Sequence, residues 1–184
     1  MKKTPTAHSY IALGGNLVHP QYGPPVETLQ VALNALLKKE ILTTRISLFY
    51  RSAPVPASDQ PWYINAVADI ETTLSADSVL KELHAVEAEL GRIRGARNAA
   101  RLVDLDLIDH RGEIAPGAPG KATLPHPRLA ERAFVLKPLA DLTPDWRHPV
   151  TGKSVRELLD ALPPDQVTEP LKPQPALRFG LKRV

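Results

Sequence analysis

The sequence predicts an α+β fold, an antiparallel sheet with helices packed on it, and three observations carry that expectation. Four short runs have the character of strands, and two longer runs carry apolar residues at the 3.6-residue spacing of amphipathic helices. They follow one another as strand, helix, strand, strand, helix, strand. That order is the split β-α-β motif, so the expected architecture is a ferredoxin-like βαββαβ sandwich with both helices on one face and additions at the C-terminal side.

Ser9 to Leu13 is an apolar run ending at Gly14-Gly15-Asn16, read as a turn of residues that accept positive backbone angles. Val26, Leu29, Leu33, Leu36 and Leu37 then predict a helix that stops near Lys39. Between Ile41 and Tyr50, Ile46, Leu48 and Tyr50 alternate with polar residues as in a half-buried strand, and Ala53-Pro54-Val55-Pro56 breaks the run into a long loop. Alternation returns from Tyr63 to Glu71, with Ile64, Ala66, Ala68 and Ile70 on one face and Tyr63, Asn65, Val67 and Asp69 on the other.

Ser75 is a favourable N-cap, Asp77 suits a first helical turn, and Val79, Leu80, Leu83, Val86 and Leu90 form a stripe that ends at Gly91. Val103, Leu105 and Leu107 alternate with Asp104 and Asp106 in the fourth strand. Beyond it, Gly112 to Gly120 is a Pro/Gly loop, Arg128 to Arg132 a helical turn and Val155 to Leu162 a short helix. One domain is expected over residues 1–162, followed by an irregular, proline-rich and basic tail over 163–184.

The chain has no cysteine, which removes disulfides, thiolate metal sites and a cysteine nucleophile together and suits a reducing, cytoplasmic setting. Met1-Lys2-Lys3 is followed by polar, proline-interrupted sequence, so no export signal is expected, and no apolar run approaches the roughly 20 residues that cross a bilayer. The formal charge of +3 decides little, but its placement is informative. Arg92, Arg94, Arg97 and Arg101 fall together with no acidic residue among them.

Asp104 and Asp106, two apart on a strand, project from one face with Cα atoms roughly 6.5 to 7 Å apart. Magnesium takes one or two carboxylates of this kind and fills its remaining positions with water and substrate phosphates. Taken alone, an Asp-x-Asp pair equally describes the solvated face of an ordinary strand. The arginines just upstream change the balance, because guanidinium groups neutralise a phosphate chain with fixed, forked geometry.

A nucleic-acid patch is the competing reading of the same arginines. Aromatic residues make up 5% of the chain and none interleaves with these arginines, so the stacking surface for single strands is missing. A P-loop does not account for the site either, since Gly117-Ala118-Pro119-Gly120-Lys121-Ala122 fails the required spacing. His126, between Pro125 and Pro127, is a packed histidine or a phosphate contact, with Arg128 and Arg132 beside it.

The segment Arg97-Asn98-Ala99-Ala100-Arg101-Leu102-Val103-Asp104-Leu105-Asp106-Leu107-Ile108 resembles the signature of the 6-hydroxymethyl-7,8-dihydropterin pyrophosphokinase family. Further matching segments follow the family order. They are Tyr10-Ile11-Ala12-Leu13-Gly14-Gly15-Asn16, Phe49-Tyr50-Arg51-Ser52-Ala53-Pro54, Asp59-Gln60-Pro61-Trp62-Tyr63-Ile64-Asn65-Ala66, Leu124-Pro125-His126-Pro127-Arg128 and Arg132-Ala133-Phe134-Val135-Leu136. The resemblance spans about Ser9 to Leu162.

The resemblance implies transfer of pyrophosphate from ATP to a pterin alcohol, with two magnesium ions on Asp104 and Asp106 and with Arg97 and Arg101 in a catalytic loop. It implies ATP contacts from His84, Glu87, Arg92, Leu107, Lys121, Thr123, His126 and Arg132. The pterin would lie between Tyr63 and Phe134, against Ser52, Ala53 and Val55, with Asn65 bonding its ring. Tyr63 and Phe134 also read as core aromatics, and Asn65 as a loop bridge.

This sequence departs from the commoner family pattern in carrying Gly15 where serine is frequent and Asn98-Ala99-Ala100 where Trp-Gly-Pro is frequent. The expected partners are ATP and the pterin, without nucleic acid or membrane, acting in a monomer with a dimer as the other assembly. Two other functions fit the same fold: an RNA-binding domain and a nucleotide sensor without turnover.

Overall fold

The computed structural model describes residues 8–92 and 99–184. Its central strand is the one with the cleanest alternation. Strand β1 (Ser9–Gly15) leads into helix α1 (Pro25–Leu37), then strands β2 (Leu42–Ile46), β3 (Tyr50–Ser52) and β4 (Tyr63–Glu71). Helix α2 (Ala76–Glu89) and strand β5 (Asp104–His110) complete the first half. A small hairpin of β6 (Ala115–Pro116) and β7 (Thr123–Leu124) follows, then a 3-10 turn at Leu129–Glu131 and helices α3 (Ala133–Leu142) and α4 (Val155–Asp160). Strand β8 (Thr168–Pro170) lies in the tail.

The main sheet runs β5-β1-β4-β3-β8, with β2 also paired to β4, and every pairing is antiparallel. Helix α1 opens on Pro25, whose fixed φ and missing N–H suit a first helical turn. Helix α2 opens on Ser75, whose Oγ accepts from the Ser78 N–H at 3.3 Å, and Gly91 takes φ +75° just after its last turn.

Alternation on β4 divides the interior into two cores. Ala66, Ala68 and Ile70 pack with Leu29, Leu33 and Leu36 of α1 and Val79, Leu83 and Val86 of α2. Val67 instead joins Tyr10, Ile108 and the α3 and α4 residues Val135, Leu136, Leu139, Val155 and Leu158. The sheet is therefore covered on both faces, so helices on one face alone describes only α1 and α2. Helix α3 was not expected, because Pro138 stands inside it. Its nitrogen cannot donate within the helix, yet the helix buries Val135, Leu136, Leu139 and Leu142, which offsets that loss.

The strand expected over Ile41 to Tyr50 is broken in two. Ser47 exchanges bonds with Val67, its N–H to the Val67 carbonyl and its Oγ accepting the Val67 N–H, both at 3.0 Å, and pairing resumes only at Tyr50. The tail, expected to be irregular, adds β8 beside β3 and sets Leu171, Leu177 and Leu181 against the first core. It thereby covers edges of the sheet that would otherwise expose unpaired amides.

Candidate active site

Along β5, Leu105 and Leu107 enter the first core while Asp104 and Asp106 face the opposite layer. Both aspartates line a cavity of about 320 Å³. Its floor is Ala12 and Gly14 of β1 with Tyr63 and Asn65 of β4, and its walls are the Ser52–Pro56 segment and the start of α3.

What holds the aspartates in register is the end of β1. Asn16 accepts the Arg101 N–H at 2.8 Å through Oδ1, and its own N–H donates to the Arg101 carbonyl at 3.0 Å. Gly15 is pressed by the Leu102 carbonyl, which would lie 2.6 Å from any Cβ there. Gly14 and Gly15 are residues of β1, not of a turn, and Gly15 is needed for close approach of two backbones rather than for a positive φ.

The two carboxylates are unequally neutralised. Asp104 receives Arg92 Nη1 at 2.5 Å and Arg101 Nη1 at 2.9 Å, whereas Asp106 has Arg132 Nη1 at 3.6 Å. Burial, and after it the charge of Asp104, raises the pKa of Asp106. Arg92 also pairs with Glu87, whose other contact is the Leu105 N–H at 2.7 Å. Burial nonetheless pushes the Glu87 carboxyl up to about 7 against both partners. Burial also lowers His126 and Arg132.

All six residues expected around the pterin line the cavity: Ser52, Ala53, Val55, Tyr63, Asn65 and Phe134. Asn65 Nδ2 donates to Ser52 Oγ at 2.9 Å, and the single Tyr63 hydroxyl proton is shared between two acceptors, Gln60 Oε1 at 3.1 Å and the Ala99 carbonyl at 3.2 Å. The Arg132 guanidinium stands 5.5 Å over the Phe134 ring. Arg101, Arg132, Asp104 and Asp106 belong to the same lining.

The residues expected to contact ATP are more dispersed. His84 is exposed on α2, Glu87 is buried behind β5, and Thr123 is exposed on β7. Lys121 pairs with Asp77 at 2.9 Å, and the His126 N–H donates to the Ile108 carbonyl at 3.0 Å on the free edge of β5. Leu107 is 4% exposed in the first core, so its side chain does not face the cavity. Arg97 lies outside the described residues.

Sequence reasoning did not single out Gln60, Glu131 or Gln166, which also line the cavity. Asn16 lies in one of the segments that match the family, and its place after two glycines at a strand end is the signal for its role. Gln166 carried none. Among the described residues no three His, Cys, Asp or Glu side chains gather as a metal cluster. Two carboxylates on one face, one of them kept short of full neutralisation, fit a hard cation whose other ligands come from a substrate.

The family model for 7,8-dihydro-6-hydroxymethylpterin-pyrophosphokinase matches residues 10–144, which include every strand of the cavity floor and both aspartates. The chain belongs to this family. Among pyrophosphokinase relatives, it is 41% identical over 155 residues to the 2-amino-4-hydroxy-6-hydroxymethyldihydropteridine pyrophosphokinase of Pseudomonas aeruginosa, covering 84% of this chain and 91% of that one. The Haemophilus influenzae protein of the same name is 42% identical over 140 residues, covering 74% and 82%.

The folic acid synthesis protein fol1 of Pneumocystis carinii is 36% identical over 153 residues, 83% of this chain, and the chain spans 20% of its length. Among solved structures, Plasmodium falciparum HPPK-DHPS shares the fold with a TM-score of 0.63 at 11% identity, over 86% of this chain and 46% of that chain. Among the described residues no helix is long and apolar enough to cross a membrane.

Proposed function

We infer that this chain transfers pyrophosphate from ATP to the hydroxymethyl group of 6-hydroxymethyl-7,8-dihydropterin, releasing AMP, in folate biosynthesis. One observation carries the reading beyond family membership: a carboxylate pair and its arginines share a single cavity with Asn65, Tyr63 and Phe134. A flat, hydrogen-bonding ring at one end and a metal-bound phosphate chain at the other would meet inside it.

Asp104 and Asp106 would hold magnesium, two ions being our reading, and the metal would supply positive charge against the phosphate chain. Arg92, Arg101 and Arg132 already stand around these carboxylates and exchange them for phosphate oxygens as the nucleotide enters. Asn65 and Ser52 bind the pterin edge, while Phe134 and Tyr63 confine its faces. Arg97 joins Arg101 in this scheme.

The hydroxymethyl oxygen then attacks the β-phosphorus, losing its proton to solvent, the bond from that phosphorus to the α,β-bridging oxygen breaks, and AMP departs with that oxygen. Positioning and preorganised positive charge lower the barrier. Lys121, Thr123, His126, His84 and Glu87 form the outer side of the ATP site along the free edge of β5 in this reading.

The first six elements, with β3 as a continuation of β2, follow a ferredoxin-like βαββαβ order, and α3, α4 and β8 are additions to it. We place a pyrophosphokinase domain over 1–162 with the tail 163–184 bound to it, acting as a monomer in the cytoplasm without nucleic acid. Absence of cysteine supports that compartment. The test is AMP release from ATP on adding 6-hydroxymethyl-7,8-dihydropterin. AMP formed in step with pterin consumption is expected, and ADP formation or pterin-independent turnover would contradict the assignment.

A further inference from the structure

The start of α3 lacks a cap from its own flanking residue. Arg132 stands at the N-cap position in extended geometry and its side chain makes no capping bond, which leaves the Ala133 N–H for another acceptor. That acceptor comes from the tail, 33 residues on. Gln166 Oε1 accepts the Ala133 N–H at 2.8 Å, and Gln166 Nε2 donates to the Glu131 carbonyl at 2.9 Å.

One amide therefore grips the backbone on both sides of Arg132. The two side chains it frames are those that matter to the cavity: Arg132, 3.6 Å from Asp106, and Phe134, whose ring lies under the Arg132 guanidinium. The same stretch of tail reaches the opposite wall. The Ala53 N–H donates to the Val167 carbonyl at 3.2 Å, and Lys137 Nζ of α3 donates to the Thr168 carbonyl at 2.7 Å.

Residues 166–168 thus tie the Ala53 wall to the Phe134 wall, from a segment beyond the family match at 10–144. We propose that Gln166 is a positioning residue for the pterin, setting the separation of the two walls and the direction of Arg132 and Phe134 through the first turn of α3. The proposal rests on the pterin reading of this cavity. Gln166 acts through backbone, not through chemistry on the reacting atoms.

The expected signature is selective. Gln166→Ala should raise the KM for the pterin about tenfold, the scale of one lost hydrogen bond at the helix start. The KM for ATP should rise less, by no more than about threefold, since Arg132 is the one expected ATP contact framed by Gln166 and the outer ATP residues are not tied to this segment. Gln166→Glu keeps the acceptor at the helix start but loses the donor to the Glu131 carbonyl, so it should recover part of the loss. A purely structural role would lower the melting temperature without separating the two KM values.

The measurement is therefore steady-state AMP release with each substrate varied, for the full chain and for Gln166→Ala, Gln166→Glu and Asn65→Ala. A raised pterin KM in both alanine variants, with partial rescue by glutamate, supports the proposal. An unchanged pterin KM in Gln166→Ala beside a raised one in Asn65→Ala overturns it and spares the pocket assignment. An unchanged pterin KM in Asn65→Ala removes the pocket assignment, and this inference with it.

Discussion

The carbonyl oxygen of Leu102 lies 2.6 Å from the point where a side chain on Gly15 would begin. Both partners are backbone, so neither can rotate aside as a flexible side chain would. The contact fixes how closely the arginine segment approaches β1, and with it where Arg101 and Asp104 sit. A serine here, frequent in the family this sequence resembles, would force the two segments apart.

Gly15→Ser should therefore destabilise the protein by about 1–3 kcal/mol, the usual scale of overpacking. It should also lower kcat at least about tenfold, since a shift of an ångström at Arg101 misplaces charge. Chemical denaturation and AMP release measure the two effects. A variant with wild-type kcat would show that the close approach does not govern the site.

Removing magnesium should stop turnover and leave the fold untouched. Asp104 is already paired with Arg92 and Arg101, so the empty carboxylates do not repel one another enough to open the site. With excess chelator, AMP release is expected to vanish while the melting temperature stays within about 2 °C. A large fall in melting temperature would mean that the metal is structural.

His110 should give the native state a pH dependence of known sign. Its ring is fully buried, with Nδ1 3.0 Å from Ser9 Oγ, and burial together with the Arg111 charge holds its pKa below the ordinary value of 6.5. The folded state therefore binds this proton more weakly than the unfolded state. Its contribution is complete above about pH 6.5 and is lost as the pH falls through the lowered folded value. The stability difference between wild type and His110→Asn should shrink between pH 7.5 and pH 5, measured by urea unfolding at each pH. A constant difference would exclude this linkage.

The last part of the tail should contribute to stability. Leu171, Leu177 and Leu181 pack on the first core, the Ile46 N–H donates to the Lys182 carbonyl at 2.8 Å, and Gln30 bonds both the Ala176 carbonyl and the Arg178 N–H. Deleting 171–184 should cost about 4 kcal/mol or more, from three partly buried leucines at roughly 1.5 kcal/mol each. Equal denaturation midpoints for the two lengths of chain would show that the tail only rests on the surface.

Elements whose burial follows from local periodicity were legible. Strand β4 was read to both ends because its two faces meet different cores, and α2 because Ser75 and Gly91 mark its limits. The carboxylate pair was legible because the period of two places Asp104 and Asp106 together without any tertiary information. Helix α3 was not, since Pro138 argues locally against the packing that secures it. Gln166 was beyond reach for a related reason: a glutamine's bonds to Glu131 and Ala133 leave no trace in spacing. Leu107 shows the limit of carrying a role across by motif, because the alternation that exposes Asp106 turns Leu107 into the core.

The most direct test of the account is AMP release by Asp106→Ala, with ATP, magnesium and 6-hydroxymethyl-7,8-dihydropterin saturating. Asp106 makes one long ion pair, to Arg132 at 3.6 Å, with the charges of His126 and Arg92 also acting on it, and none of these is a close contact of its own, so the fold should survive with a near wild-type melting temperature. A fall in kcat of about a thousandfold or more is expected from loss of metal-assisted charge stabilisation. A folded Asp106→Ala protein that keeps turnover within about tenfold of wild type would contradict the assignment of this pair to the metal-bound phosphates.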